Sequence, residues 1–204
     1  MLVKICGITT DEVAKIACEA GADLLGFVFA DSSRKITPER AAAISQTLPA
    51  HVKTVGVFVN ETREKIDDIA EQVGLDYIQL HGDESPEFCQ QLRRPVIKAF
   101  SIKQKSDLER LNEYTCAYYL VDSPGIDYRG GSGIPFDWDL LTEAKVPHEK
   151  VILAGGLQRE NVAEAIRKVR PAAVDVSSGV ETNKQKDPEK IIDFIREAKK
   201  EESD

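Results

Sequence analysis

The chain has 204 residues, of which 42% are hydrophobic and 30% charged, an ordinary composition for a globular protein. Its formal net charge of −8 at pH 7 makes nucleic acids and anionic membranes poor partners for the surface as a whole. The longest apolar run, Leu24 to Ala30, is too short to span a bilayer, and Lys4 interrupts the first apolar residues, so no signal peptide is visible.

The four cysteines stand at positions 6, 18, 89 and 116. They form no C-x-x-C pair and show no metal-ligand spacing, so we expect no metal site. Their scatter fits a reducing compartment better than a disulfide framework. We therefore expect a cytoplasmic protein.

Short apolar runs alternate with helix-forming segments along the whole chain. The runs predicted to be strands begin near residues 2, 23, 52, 76, 96, 116, 150 and 172. Capping residues mark several helix starts: Thr9, Thr10 and Asp11 for the first helix, then Thr37 before Pro38, Asn60 or Thr62, Ser85 before Pro86, and Asp187 before Pro188. Two of the predicted helices are Glu87 to Arg94 and Ser106 to Tyr114, and a short one starts at Asp137.

This alternation predicts a parallel sheet with helical crossovers. Eight strand-then-helix units favour a single (β/α)8 TIM barrel over residues 1–204, with the active site at the carboxyl ends of the strands. A doubly wound open sheet shows the same alternation and is the alternative.

Two successive loops near the end of the chain carry small residues where backbone N–H groups lie open. The run Val151 to Ala154 ends in Gly155-Gly156, and the run Ala173 to Val176 ends in Ser177-Ser178-Gly179. Uncovered amides near a helix N-terminus bind phosphate, and loops after strands 7 and 8 are the usual place in a barrel. The alternative is that these glycines only turn the chain.

Polar residues also stand at several predicted strand ends, where barrel active sites form. They are Lys4, Cys6, Gln79, His81, Asp122, Asp175 and Ser177, with Arg34 in the loop after the second strand. Lys4 and Cys6 are two residues apart and share a face, so a buried ammonium would favour the thiolate. A packing role for Cys6 and a capping role for Asp122 are the alternatives.

Several segments together resemble the phosphoribosylanthranilate isomerases, in the same order and from residue 2 to about 187. They are Lys4-Ile5-Cys6-Gly7-Ile8-Thr9, Gly26-Phe27-Val28-Phe29, Ser33-Arg34, Gln79-Leu80-His81-Gly82, Val121-Asp122, Gly130-Gly131-Ser132-Gly133, Phe136-Asp137-Trp138, Leu153-Ala154-Gly155-Gly156-Leu157 and Asp175-Val176-Ser177-Ser178-Gly179-Val180-Glu181. Ser132 departs mildly from the threonine that is common in the family.

The resemblance implies an isomerase of tryptophan biosynthesis that performs an Amadori rearrangement without cofactor or metal. The family's general acid falls on Asp122, its general base on Cys6, and its partner for the anthranilate carboxylate on Arg34. The predicted substrate-binding residues are Arg34, His81, Asp175, Gly131, Gly155, Gly156, Ser178 and Gly179. His81 and Asp175 have only a supporting, polar-contact role.

Two other functional interpretations of the same residues remain. A related aminoaldose isomerase would use an Asp base, which position 6 does not supply. A non-catalytic phosphosugar sensor would have lost Cys6 or Asp122, and both are present. We expect a phosphorylated aminosugar substrate as the small-molecule partner, no nucleic acid or membrane partner, and a monomer, with a homodimer as the alternative.

Overall fold

Eight parallel strands close into a barrel in the computed structural model, which describes residues 1–123, 138–142 and 146–200. The strands are β1 Leu2–Cys6, β2 Leu24–Val28, β3 Lys53–Phe58, β4 Tyr77–Leu80, β5 Val96–Ser101, β6 Tyr118–Asp122, β7 Val151–Leu153 and β8 Ala173–Val176. Each strand pairs with the next in sequence, and β8 pairs with β1 to complete the ring. The predicted (β/α)8 barrel is confirmed, and the open sheet is wrong.

Helices alternate with these strands along the chain. They are α1 Asp11–Ala20, α2 Pro38–Ser45, α3 Arg63–Val73, α4 Pro86–Gln91, α5 Lys105–Glu109, α6 Asp139–Thr142, α7 Arg159–Val169 and α8 Pro188–Lys200. The side chains of five predicted caps accept a first-turn N–H: Thr10, Thr37, Thr62, Ser85 and Asp187. Gly21 and Gly74 end α1 and α3 in the left-handed conformation that glycine adopts without strain.

Two helices are shorter than their predicted lengths. α4 ends at Gln91 rather than at Arg94, and Leu92 is already extended. Pro95 follows, and the residue before a proline is disfavoured in the helical region, so the chain unwinds early. α5 ends at Glu109 and continues as a tighter 3₁₀ helix over Arg110–Glu113.

The alternation of side chains along each strand creates two separate cores. The inner core, enclosed by the barrel, consists of Leu24, Val55, Ile97, Ala99, Leu120, Ile152, Ala154 and Ala173. Neighbouring strand residues such as Leu25 and Val121 belong instead to a larger core that includes buried helix residues such as Ala17 and Ile166. The parity of a residue within its strand therefore decides whether it points into the barrel.

A small hairpin that the sequence did not predict follows β8. Glu181–Thr182 (β9) pairs in antiparallel register with Gln185–Lys186 (β10), so that Glu181 faces Lys186. Strands of two residues are too short to show a hydrophobic period, and this explains the omission. No helix among the described residues is long and apolar enough to cross a membrane.

Candidate active site

The candidate active site is built from inner-face residues at the carboxyl ends of the strands. Leu120 and Ala173 belong to the inner core, so Asp122 and Asp175, each two residues further on, lie on the same face. His81 follows Gln79 by two residues, and Gln79 is in register with the inner-core residue Ile97. Three polar side chains from β4, β6 and β8 thus meet at one end of the barrel.

Lys4 supplies a buried positive charge to this end of the barrel. It is fully buried, and its Nζ donates a 2.8 Å hydrogen bond to Oδ1 of Asp175, its register partner on β8. Burial alone lowers the pKa of Lys4, but the interactions with Asp175 and Cys6 outweigh it and leave the pKa above its ordinary value. Lys4 is therefore a permanent ammonium.

Cys6 lies two residues beyond Lys4 on the same face and is also buried. Gly26 is its register partner on β2, and a Cβ there would lie 2.9 Å from the Cys6 Sγ, so glycine leaves room for the thiol. Burial raises the pKa of Cys6, and the opposing effect of Lys4 is smaller. Lys4 thus lowers the pKa of Cys6, in the direction that we expected, but burial outweighs this effect in the ligand-free protein.

The carboxyl group of Asp122 is poised to hold a proton near neutral pH. Burial, reinforced by the charge of Asp175, raises its pKa to about 7, against the opposing effects of the Ser123 backbone and Lys4. Its Oδ1 has no hydrogen-bond partner among the described residues. An unpaired, buried carboxyl oxygen at a strand end is available to a ligand.

His81 faces Asp122 as a neutral imidazole. Burial, followed by the charge of Lys98, lowers the pKa of His81 to about 4. The Gln79 side-chain nitrogen lies 3.4 Å from His81 Nδ1. His81 Nε2 lies 3.6 Å from Asp122 Oδ2 and has no hydrogen-bond partner in the described part of the chain.

The two glycine-containing loops after β7 and β8 touch each other. A Cβ on Gly179 would lie 1.9 Å from the backbone oxygen of Leu157, so only glycine permits this approach. Gly155 and Gly156 have φ angles of 83° and 64°, which glycine adopts without strain. Among the described residues, the N–H groups of Gly156, Ser178 and Gly179 enter no backbone hydrogen bond outside the helices and strands.

Arg34 is held by a residue that our sequence analysis did not single out. Its Nε donates to Glu181 Oε1 at 2.7 Å, and its Nη2 donates to Glu181 Oε2 at 2.8 Å. Lys186 Nζ also donates to Glu181 Oε1 at 2.7 Å and reaches the Ser177 carbonyl at 2.9 Å. This set of Arg34, Glu181 and Lys186, which we call the mouth cluster, connects the loops after β2 and β8.

Most predicted site residues thus lie at the same end of the barrel. Gly131 falls outside the described residues. Glu181, Lys186 and Gly7 were missed, although Glu181 is the last residue of the Asp175–Glu181 motif. A Cβ on Gly7, which has a φ of 86°, would lie 2.7 Å from Arg34 Cδ, so glycine lets the Arg34 side chain cross the loop after β1.

No group of three or more His, Cys, Asp or Glu side chains in the described ranges is arranged to hold a metal ion. The polar groups at the mouth are instead one carboxyl of raised pKa, one buried thiol, buried cations and open amides. Such a set can transfer protons to and from a bound phosphorylated compound.

Comparisons with known proteins identify relatives of similar length. Residues 3–197 match the family model of N-(5'-phosphoribosyl)anthranilate isomerase. The enzyme of that name from Bacillus cereus is 53% identical over 198 residues, which are 97% of this chain and 98% of the relative.

Two solved structures resemble the whole fold. One is a phosphoribosylanthranilate isomerase in complex with reduced 1-(o-carboxyphenylamino)-1-deoxyribulose 5-phosphate; it is 45% identical, with a TM-score of 0.85, and the match covers 98% of this chain and 99% of that one. The other contains monomers of the dimeric isomerase from Thermotoga maritima, with 44% identity, a TM-score of 0.86 and the same coverage.

Proposed function

The chain belongs to the N-(5'-phosphoribosyl)anthranilate isomerase family, and from that premise we propose which residues carry its reaction. The substrate is N-(5-phosphoribosyl)anthranilate, an aminoaldose, and the product is 1-(2-carboxyphenylamino)-1-deoxyribulose 5-phosphate, an aminoketose of tryptophan biosynthesis. Asp122 is the general acid and Cys6 the general base.

Asp122 carries this proposal, because its pKa of about 7 leaves much of the carboxyl protonated at neutral pH. It donates that proton to the furanose ring oxygen as the bond from this oxygen to C1′ breaks. The electron pair on the anthranilate nitrogen forms a protonated Schiff base with C1′. His81 Nε2 lies 3.6 Å from Oδ2 of the carboxylate that results, so a small approach brings the two groups within hydrogen-bond distance.

Cys6 acts on the other side of the barrel, since β1 and β6 are three strands apart in the closed ring. The protonated Schiff base acidifies the C2′ proton, and the Cys6 thiolate removes it to give an enolamine that tautomerises to the ketone. Burial opposes thiolate formation, whereas Lys4 favours it. The positive charge of the Schiff base next to the thiol adds to the effect of Lys4.

Substrate binding uses local donors, because the net charge of −8 repels a substrate that carries phosphate and carboxylate groups. The amides of Gly156, Ser178 and Gly179 bind the phosphate, and Gly155 gives their loop its turn. Arg34 binds the anthranilate carboxylate through its guanidinium fork. Asp175, by holding Lys4, supports Cys6 indirectly.

The fluorescence decay of phosphoribosylanthranilate, added to the purified protein, tests the proposal. The wild type should consume it, and Asp122→Asn and Cys6→Ser should each lower kcat by about 10²–10⁴-fold. Both variants should keep their affinity for a reduced product analogue, because neither changes the phosphate loops. A variant with a wild-type kcat would remove its residue from the proposed mechanism.

Deuterium at C2′ of the substrate separates the two roles. Cys6→Ser should show a large deuterium isotope effect on kcat, because serine holds its proton too tightly to act as the base and removal of the C2′ hydrogen becomes the slow step. Asp122→Asn should show little isotope effect, because ring opening, which breaks no bond to that hydrogen, becomes the slow step.

A further inference from the structure

We infer that Glu181 is a positioning residue for Arg34. It occupies the side-on edge of the guanidinium, formed by Nε and Nη2, so that the end-on edge, formed by Nη1 and Nη2, faces the substrate carboxylate. The inference rests on the proposed role of Arg34 and assigns a specificity-determining function to its partner. The mouth cluster of Arg34, Glu181 and Lys186 carries it.

The two Glu181 oxygens occupy one edge of the guanidinium. Arg34 uses Nε at 2.7 Å and Nη2 at 2.8 Å, a bidentate side-on pair. A guanidinium has five N–H donors, so two on Nη1 and one on Nη2 remain. One N–H on Nη1 and the one on Nη2 lie along the end-on edge, which is itself suited to two parallel hydrogen bonds with a planar carboxylate.

Glu181 is buried and held by several contacts among the described residues, so it can fix the orientation of the Arg34 guanidinium. Its side chain is 6% exposed, and the partner Lys186 is 5% exposed. Lys190 Nζ donates to the backbone oxygen of Glu181 at 2.8 Å, and the hairpin register holds Glu181 opposite Lys186. Burial raises the pKa of Glu181, but hydrogen bonds from Arg34 and Lys186 outweigh this effect and keep it an anion.

Arg34 is by contrast only partly covered, with 25% of its side chain exposed. A free arginine of this kind would sample several rotamers and lose that freedom on binding a ligand. Holding one edge of the fork beforehand removes most of this cost, and it also excludes side-on binding by any competing anion. Glu181 therefore favours ligands whose carboxylate approaches along the guanidinium axis.

The test is a double-mutant cycle of Arg34→Ala and Glu181→Gln, with Glu189→Gln as the matched control. Glutamine keeps the shape of Glu181 but presents an N–H to one guanidinium N–H, so the side-on pair is lost. Glu189 lies exposed in the first turn of α8, so its replacement should leave KM unchanged. KM and kcat are measured by the fluorescence decay, and the Kd of inorganic phosphate by calorimetry.

We expect Glu181→Gln to raise KM by about 10- to 100-fold, as the loss of a charge-assisted hydrogen bond does, while kcat and the phosphate Kd change less than about threefold. In the Arg34→Ala background the same replacement should add nothing to KM. An equal, additive rise in that background, or a matching loss of phosphate affinity, would mean that Glu181 acts through Lys186 and would overturn the inference.

Arg34→Lys tests the role of the planar guanidinium and leaves the buried Glu181 unchanged. Lysine keeps the charge but offers no planar end-on edge, so its KM should rise nearly as much as that of Arg34→Ala. A wild-type KM for Arg34→Lys overturns the orientation argument alone. An unchanged KM for Arg34→Ala would overturn the proposed role of Arg34, and the role of Glu181 with it.

Discussion

At the scale of single residues, burial decides the protonation states at the barrel mouth. The side chains of Asp122 and Cys6 are both buried, and burial makes both hold their protons more tightly than exposed groups do. That state suits an acid that must begin protonated, and it works against a base that must begin ionised. The proposed mechanism therefore requires the positive charge of the substrate to activate Cys6, whereas Asp122 is ready beforehand.

The raised pKa of Asp122 predicts a cost in stability above neutral pH. Because its folded pKa of about 7 exceeds the ordinary 3.8, the folded chain binds more protons than the unfolded chain between these values. Stability is thus lost as the pH rises from about 4 to about 7, by up to about 4 kcal/mol. Asp122→Asn, which cannot ionise, should be more stable than the wild type at pH 8.

Chemical denaturation at pH 8 and pH 4.5 measures this difference. The advantage of Asp122→Asn should shrink or vanish at pH 4.5, where the wild-type carboxyl is protonated. An advantage of equal size at both pH values would show that the amide stabilises by packing, and that the carboxyl does not have the raised pKa.

At the scale of elements, glycines let neighbouring loops approach each other. We predict that Gly179→Ala weakens phosphate binding by at least about tenfold, because its Cβ would collide with the Leu157 backbone oxygen and separate the loops after β7 and β8. Titration with inorganic phosphate measures the effect.

Gly74→Ala is the matched control for the substitution Gly179→Ala. Gly74 has a positive φ, of 73°, which Gly179 does not, but a Cβ there meets nothing within 4 Å. It should lose about 1 kcal/mol of stability through backbone strain, yet keep its phosphate affinity. If Gly179→Ala also kept that affinity, the contact between the two loops would not be needed for the cradle.

The buried ion pair of Glu84 and Lys98, on the outer side of the sheet, joins three elements. Glu84 accepts from Lys98 at 3.1 Å, from the Asn60 backbone at 2.7 Å and from the Gly82 backbone at 2.9 Å. Its side chain is only 4% exposed. Glu84 therefore fixes the loops after β3 and β4 against β5.

Glu84→Ala should lower the free energy of unfolding by about 3–5 kcal/mol, because it leaves the buried Lys98 ammonium with backbone carbonyl acceptors but without its counter-charge. Urea denaturation gives the value. Glu71→Ala is the control: its pair with Arg93 is 3.9 Å long and exposed on both sides, so its loss should cost less than about 1 kcal/mol. Equal costs for the two variants would contradict the assigned role of Glu84.

At the scale of the whole molecule, we propose that residues 1–204 form one domain and that the protein is a monomer. Only three large apolar residues are exposed among those described: Leu2, Val59 and Ile192, at 37%, 36% and 44%. They belong to β1, the loop after β3 and α8, and a stable subunit interface needs a contiguous apolar centre.

Sedimentation equilibrium at micromolar concentration should therefore give the mass of one 22.6 kDa chain. A net charge of −8 adds mutual repulsion between copies and works in the same direction. A mass of twice that value, stable on dilution, would instead place this chain with the dimeric form known from Thermotoga maritima.

The sequence by itself determined the barrel and the place of its site. Strand periodicity, caps such as Thr62 and the glycine loops after β7 and β8 act over a few residues, so their signals can be read locally. Side-chain alternation then placed Lys4 and Cys6 on one face, as observed. The early end of α4 was missed because helix propensity does not show that the chain leaves the helix at Leu92, ahead of Pro95.

Only the tertiary structure decided the electrostatics of that site. Arg34 and Glu181 are 147 residues apart, and no local pattern indicates that they pair. The pKa values of Asp122 and Cys6 depend on how much solvent the closed barrel excludes and on charges contributed by other strands. Such effects act through space rather than along the chain, so they exist only once the ring from β1 to β8 has closed.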